Sequence, residues 1–170
     1  MKEESVEILQ KAIDIEVFGN DFYKKLSNSV DNKEGKALLT YLANAEEEHK
    51  KRLESMLNKF GAESRKTDID TLMADILMDE GIQKIFKGLM KKEKLETVDA
   101  IEALKLGIEV EAKSIDFYKN NAEKSPESDI VSLFTDLSNW EKEHLEILSE
   151  NVRSLKDEGV WYGYVPILEG

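Results

Sequence analysis

The sequence has no cysteine, and its 170 residues include only two prolines and nine glycines. Without cysteine the chain cannot form a disulfide, a catalytic thiolate, an iron–sulfur cluster, or a cysteine-ligated zinc or rubredoxin-type iron site. So few helix breakers, in a chain rich in Glu, Lys, Leu and Ala, indicate an all-α protein. The hydrophobic fraction of 41% is sufficient for a substantial core.

Basic residues are also scarce, because 24 Lys and Arg face 36 Asp and Glu and leave a net charge of -12. This charge argues against nucleic-acid binding, since phosphates would be repelled, and is otherwise typical of a soluble surface. No apolar run reaches the roughly 18 residues that suggest a membrane span. The acidic start, "MKEESVEILQ", has no apolar run and predicts no signal peptide, so we expect a cytoplasmic protein without a membrane partner.

Hydrophobic periodicity predicts four long helices. They cover residues 4–29, 33–60, 97–124 and 126–156. Gly61 is a plausible helix-ending glycine, Ser125 a good N-cap, and Pro126 suits the first turn of the fourth helix.

The connections between these helices predict the topology. Two are short turns, whereas residues 61–96 form a long connection whose apolar groups suggest one or two crossover helices. This pattern favours a ferritin-like antiparallel four-helix bundle with one long crossover between helices 2 and 3. We expect a single domain over residues 1–170, with a helix pair at 4–60, the crossover at 61–96, a second helix pair at 97–156 and a tail at 157–170. The tail contains Trp161, Tyr162, Tyr164 and Pro166, and we expect it to pack on the bundle or on a second subunit.

The two helix pairs form an internal repeat with an offset of 95 residues and no gap. The only two histidines of the chain obey this offset, which chance similarity between amphipathic helices does not explain. The clearest matches are Leu9 with Leu104, Ile13 with Ile108, Glu16 with Glu111, Tyr23 with Tyr118, Leu42 with Leu137, Glu46 with Glu141, His49 with His144, and Leu53 with Leu148.

Each predicted helix carries one glutamate inside its apolar stripe. In the second helix the stripe is Leu39, Leu42, Glu46, His49, Leu53 and Met56, and in the fourth it is Phe134, Leu137, Glu141, His144 and Leu148. In the first it includes Leu9, Ile13, Glu16 and Tyr23, and in the third Leu104, Ile108, Glu111, Ile115 and Tyr118. Four buried carboxylates without a basic partner would be costly, but two divalent cations would balance their charge.

The motifs "EEEH" at 46–49 and "EKEH" at 141–144 place an acid and an imidazole three residues apart. Such residues are roughly 60° apart around a helix and about 4.5 Å along it, so both reach one cavity. Glu47 and Glu48 point elsewhere, to solvent or to the surroundings of the site. One Glu from each of two helices and Glu-x-x-His from each of the other two is the ligand pattern of di-iron carboxylate bundles.

At these residues the chain, over most of positions 4–156, resembles the rubrerythrin-like branch of the ferritin-like superfamily. The resemblance implies that Glu46 and Glu141 bridge two metal ions. It also implies that Glu16 with His49 completes one coordination sphere and Glu111 with His144 the other. It further suggests that Tyr23 and Tyr118 hydrogen-bond a ligating carboxylate, although both are equally consistent with aromatic core filler.

The sequence departs from this family pattern in two ways. Rubrerythrins carry an extra glutamate three residues after the third-helix ligand, where this chain has Ser114, matched in the repeat by Gly19. Small side chains there could leave room for water, dioxygen or peroxide. The absence of cysteine means that the appended rubredoxin domain is missing, so electrons would come from a separate donor protein.

The six-residue set leads to the hypothesis of a di-iron carboxylate oxidoreductase that acts on hydrogen peroxide or dioxygen, expected as a homodimer. Its cofactor would be two Fe ions, with Mn or Zn as alternatives that this donor set also suits. A ferroxidase and iron store of the bacterioferritin type uses the same six ligands. However, a haem-binding bacterioferritin would carry methionine where this chain has Glu47, and the tail is not a clear fifth helix. A non-catalytic metal-binding bundle is the third hypothesis.

Overall fold

The computed structural model describes residues 2–68 and 97–163, and four long helices account for most of them. They are α1 (Lys2–Ser29), α2 (Lys33–Lys59), α3 (Thr97–Lys124) and α4 (Ser128–Asp157). Within these two ranges there is no β-strand and no helix that is both long and apolar enough to cross a membrane. The predicted all-α fold is confirmed.

Most helices begin and end within two residues of the positions that the sequence predicted. Asn32 is the N-cap of α2, and its side chain accepts a hydrogen bond of 2.8 Å from the Gly35 N–H group. Gly61 follows α2 with φ of +71°, in the left-handed region that glycine tolerates at a helix end.

The predicted start of α4 was wrong by two residues. Ser125 ends the preceding segment, since its N–H group bonds the Asn121 carbonyl at 3.0 Å. The Ser125 hydroxyl accepts the Glu127 N–H at 3.2 Å, so it forms a local turn through Pro126. Glu127 therefore takes the N-cap position, without a side-chain capping bond.

Helix α1 packs mainly against α2, and α3 mainly against α4, with sparser contacts between α1 and α3 and between α2 and α4. The two hairpins face each other around a core that divides into two apolar clusters. One contains Phe18, Phe22, Leu38, Leu42, Leu104 and Leu148, and the other contains Leu9, Ile13, Leu53, Ile130, Phe134 and Leu137. The buried glutamates and histidines lie between these two clusters in the sequence of every helix, which places them at mid-bundle.

The segments next to the bundle are anchored by specific hydrogen bonds. After α2, the Arg65 N–H group bonds the Gln10 side chain at 2.9 Å, and the Thr67 hydroxyl bonds Asp14 at 2.7 Å. Crossover helices were predicted within residues 61–96, of which 69–96 lie outside the described residues.

The start of the tail packs on the bundle, which is one of the two arrangements that the sequence predicted. A Cβ atom added to Gly35 would lie 2.5 Å from Cε2 of Trp161, so the indole covers this glycine in van der Waals contact. The Gly163 N–H group donates to the buried Asn151 side chain at 2.9 Å. Tyr164 and Pro166 lie outside the described residues.

Candidate metal centre

Each helix brings one glutamate to the middle of the bundle, and α2 and α4 each add a histidine one turn further on. All six residues are buried, with no more than 5% of the surface of any of them exposed: Glu16, Glu46, His49, Glu111, Glu141 and His144. The structure therefore brings together all six glutamates and histidines that the sequence predicted as metal ligands.

The six residues form two overlapping groups. The first group consists of one possible ligand atom from each of Glu16, Glu46, His49 and Glu141. The second consists of one from each of Glu46, Glu111, Glu141 and His144. Within each group these atoms all lie within 4.8 Å of one another. Glu46 and Glu141 belong to both groups, so they are the two shared carboxylates of the cluster.

The Nδ1 atom of each histidine lies close to oxygens of three carboxylates. His49 Nδ1 lies 3.3 Å from Glu16, 3.2 Å from Glu46 and 3.2 Å from Glu141. His144 Nδ1 lies 2.9 Å from Glu141, 3.3 Å from Glu46 and 3.8 Å from Glu111. Since each histidine contacts the glutamate of the opposite hairpin, α2 and α4 run antiparallel across the site.

Burial and crowding of negative charge raise the pKa of the two carboxyls that are not shared. For both Glu16 and Glu111, removal from water is the largest cause, followed by the charges of Glu141 and Glu46. These two groups resist ionisation unless a positive charge balances them.

The shared carboxyls and the histidines behave in the opposite way. Burial opposes ionisation of Glu46, but the nearby imidazoles outweigh it and hold its pKa below the usual range. The pKa of Glu141 is also lowered by both histidines, against burial and the charge of Glu46. Burial would lower the pKa of His49 and His144, but the surrounding carboxylates raise it well above the usual value.

Tyr23 and Tyr118 are both fully buried and reach the glutamates across the bundle. The Tyr23 hydroxyl donates to Glu111, and the Tyr118 hydroxyl donates to Glu16. Burial and the neighbouring carboxylates raise the pKa of both tyrosines, so each hydroxyl keeps its proton as a donor. Each tyrosine thus orients a carboxylate, as the sequence resemblance suggested, and belongs to the opposite half of the repeat.

The chemistry of the cluster fits a pair of divalent cations. Both oxygens of Glu141 and the Nδ1 atom of His144 are buried without a hydrogen-bond partner, although they lie close to each other. Buried polar atoms without partners are costly in a core, whereas carboxylate oxygens and imidazole nitrogens are the ligand atoms that a metal ion binds. Carboxylate and imidazole donors suit Fe, Mn and Zn, and two such cations would neutralise four carboxylates.

The surroundings of Gly19 and Ser114 differ from what the sequence predicted. A Cβ atom on Gly19 would lie 3.2 Å from Cγ and 3.3 Å from Cδ of Glu46. The space beside Gly19 is therefore taken by the Glu46 side chain, and the idea that it leaves room for an oxidant was wrong. Ser114 is buried, and its hydroxyl donates to the Val110 carbonyl at 3.0 Å.

Two further residues near the cluster were missed by the sequence reasoning. The Trp140 ring stacks on His49 with centroids 5.2 Å apart, and the Arg52 guanidinium lies 4.8 Å from the centroid of the Trp140 ring. The repeat offered a signal, because Trp140 and Arg52 are matched by Ala45 and Ile147 and so break the symmetry. Glu47 and Glu48 face outward, as predicted, and pair with Lys50 and Lys51.

An antiparallel four-helix bundle whose core holds one Glu on each helix and two Glu-x-x-His motifs is a protein of the ferritin-like di-iron carboxylate class. The family model for rubrerythrin matches residues 7–151, and the chain belongs to the rubrerythrin family, whose domain is of the ferritin-like di-iron type. No match was found among curated proteins or among solved structures.

Proposed function

We propose that this protein is a di-iron carboxylate oxidoreductase that reduces hydrogen peroxide or dioxygen with electrons from an external donor. One observation carries the proposal: the two buried groups of ligand atoms share Glu46 and Glu141. Shared carboxylates hold two metal ions close together, so two electrons can be delivered to one bound oxidant. Membership of the rubrerythrin family supports the same chemistry.

In this proposal Glu16 and His49 would hold one ion, Glu111 and His144 would hold the other, and both ions would share Glu46 and Glu141. A pair of bound iron ions would supply two electrons, which with two protons reduce hydrogen peroxide to two water molecules or dioxygen to hydrogen peroxide. The protein fixes the geometry and limits the access of bulk water, since the six residues are buried between the two apolar clusters. Tyr23 and Tyr118 orient the Glu111 and Glu16 carboxylates and hold a proton beside them.

The proposal is tested by loading the metal-free protein with Fe(II) under anaerobic conditions and mixing it with peroxide or dioxygen in a stopped-flow spectrometer. We expect two Fe per chain and oxidation faster than that of free Fe(II) with at least one oxidant. The Glu46→Ala variant, which loses a shared carboxylate, serves as the matched control. Oxidation no faster than that of free Fe(II) would rule out the oxidoreductase function.

Metal analysis of protein purified without added metal identifies the ion that the cell supplies. Size-exclusion chromatography separates the proposal from iron storage, because the expected homodimer is far smaller than a storage cage. Tightly bound zinc with no oxidant consumption would favour a non-catalytic metal-binding bundle. We also propose a cytoplasmic location.

A further inference from the structure

Trp140 is outside the six-residue cluster but stacks directly on it. Its ring plane is tilted only 13° from that of His49, with centroids 5.2 Å apart. His49 in turn stacks on His144, with centroids 5.4 Å apart and planes 18° apart. The three rings form one continuous stack, with the partly buried indole at its outer end.

This outer end opens to a surface pocket between α2 and α4. The pocket has a volume of about 190 Å³, and its lining includes Trp140, Arg52, His49 and His144. The Arg52 guanidinium, which is solvent-exposed, lies over the Trp140 ring and fixes it by a cation–π contact. Through Trp140, the surface is therefore joined to a buried histidine of the cluster by direct ring contact.

The indole packs against the second apolar cluster, but the internal repeat does not preserve it. The repeat matches Trp140 with Ala45, which lines the same pocket, and matches Arg52 with Ile147. The first hairpin thus forms the same helix pair with a small side chain at the equivalent position. The second half of the repeat carries the aromatic ring and the first half carries the cation, so this pair occurs once, between α2 and α4.

We propose that Trp140 is the electron-entry residue of this site, a bridge between an external one-electron donor at the α2–α4 pocket and His49. The inference rests on the proposed function, which requires two electrons from outside for each oxidant reduced. Each donor molecule loses one electron, one metal ion of the site gains it, and the indole keeps its own oxidation state. Arg52 is a positioning residue that holds the ring in the stack.

The first test measures electronic contact in the metal-free protein by fluorescence. Since the chain has two tryptophans, Trp161→Phe leaves Trp140 as the only tryptophan, which is excited selectively over tyrosine at the red edge of the absorption band. A stacked imidazolium quenches indole emission by excited-state electron transfer, so His49→Leu in this background should lengthen the lifetime several-fold. His144→Leu removes a second buried histidine, which stacks on His49, and should have a much smaller effect. An unchanged lifetime in His49→Leu would overturn the inference.

The second test measures electron transfer into the metal-loaded, oxidised protein. Because the chain has no cysteine, Glu143→Cys gives a unique attachment point at the pocket for a ruthenium photoreductant. Trp140→Leu should slow photoreduction of the site by about an order of magnitude, and Trp140→Phe should restore part of the rate. Trp161→Phe should leave it unchanged.

The two proposals can fail separately. If Trp140→Leu is photoreduced as fast as the parent, the electron-entry role is wrong, whatever the reactivity toward oxidants. If no variant is oxidised by peroxide or dioxygen faster than free Fe(II), the proposed function fails. The lifetime and photoreduction rates would then still decide the role of Trp140.

Discussion

The Tyr23 hydroxyl of α1 donates a hydrogen bond to Glu111 of α3, 88 residues away in the chain. Its repeat counterpart, Tyr118 of α3, donates to Glu16 of α1. Each half of the repeat therefore positions the unshared carboxylate of the other half. The two hydrogen bonds also fix α1 and α3 as antiparallel neighbours across the site.

Replacing Tyr23 with Phe should lower the free energy of unfolding of the metal-free protein by about 1–3 kcal/mol, because a buried carboxyl loses its donor. Tyr118→Phe should have a similar effect through Glu16. Urea unfolding followed by circular dichroism measures both. Tyr162→Phe is the control, since Tyr162 is 71% exposed. Losses no larger than that of the control would contradict the prediction.

Replacing Glu46 with Ala should abolish loading with two metal ions, because Glu46 offers a ligand atom to both groups. Metal content after desalting measures the stoichiometry. Glu47→Ala changes the adjacent residue, which pairs with Lys50 at 3.1 Å, and should load like the parent. Two ions per chain in Glu46→Ala would show that Glu46 is not a shared ligand.

Replacing Gly19 with Ala should weaken binding of the metal pair by about tenfold, as is usual when support for a ligand is disturbed. The added Cβ atom, 3.2 Å from Cγ of Glu46, must push this carboxylate aside. Calorimetric titration with Zn²⁺ measures the affinity. Ser114→Ala, at the repeat-equivalent position, adds no volume and should bind normally. Equal affinities in the two variants would mean that Glu46 adapts without loss.

Metal binding should release protons and strengthen as pH rises from about 6 to about 8. Without metal, the carboxylates raise the pKa of His49 and His144, so both imidazoles are protonated at neutral pH. A metal ion requires neutral imidazole and must displace these protons. Titrations in two buffers with different ionisation enthalpies count the protons released. Binding without proton release would contradict the raised pKa of the histidines.

Replacing Gly35 with Ala should displace Trp161 from the bundle, since the new Cβ atom would lie 2.5 Å from the indole. The indole emission should shift to longer wavelength as Trp161 becomes exposed, and Trp140→Phe in both proteins isolates this signal. Lys36→Ala, at the exposed neighbouring position, should leave the spectrum unchanged. An unshifted spectrum in Gly35→Ala would show that the tail tolerates the added methyl group.

The residues of the candidate site could be predicted because the hydrophobic periodicity of each helix indicates which of its side chains face the core. Glu46 and His49 lie at the core positions of a leucine stripe, and the repeat reproduces them at Glu141 and His144. The same reasoning failed at Gly19 and Ser125. At both positions the structure depends on how a neighbouring segment of the chain packs against the residue. The hydrophobic periodicity of a helix carries no information about that packing.

The sequence by itself determined four helices, one glutamate in each apolar stripe and the offset that relates the two hairpins. Only the tertiary structure decided which carboxylate each tyrosine reaches, that Glu46 fills the space beside Gly19, and that Trp140 stacks on His49. The physical reason is that helix periodicity fixes the direction of a side chain around its own axis. Contacts between helices depend on their register and distance, which are set when the two hairpins pack together.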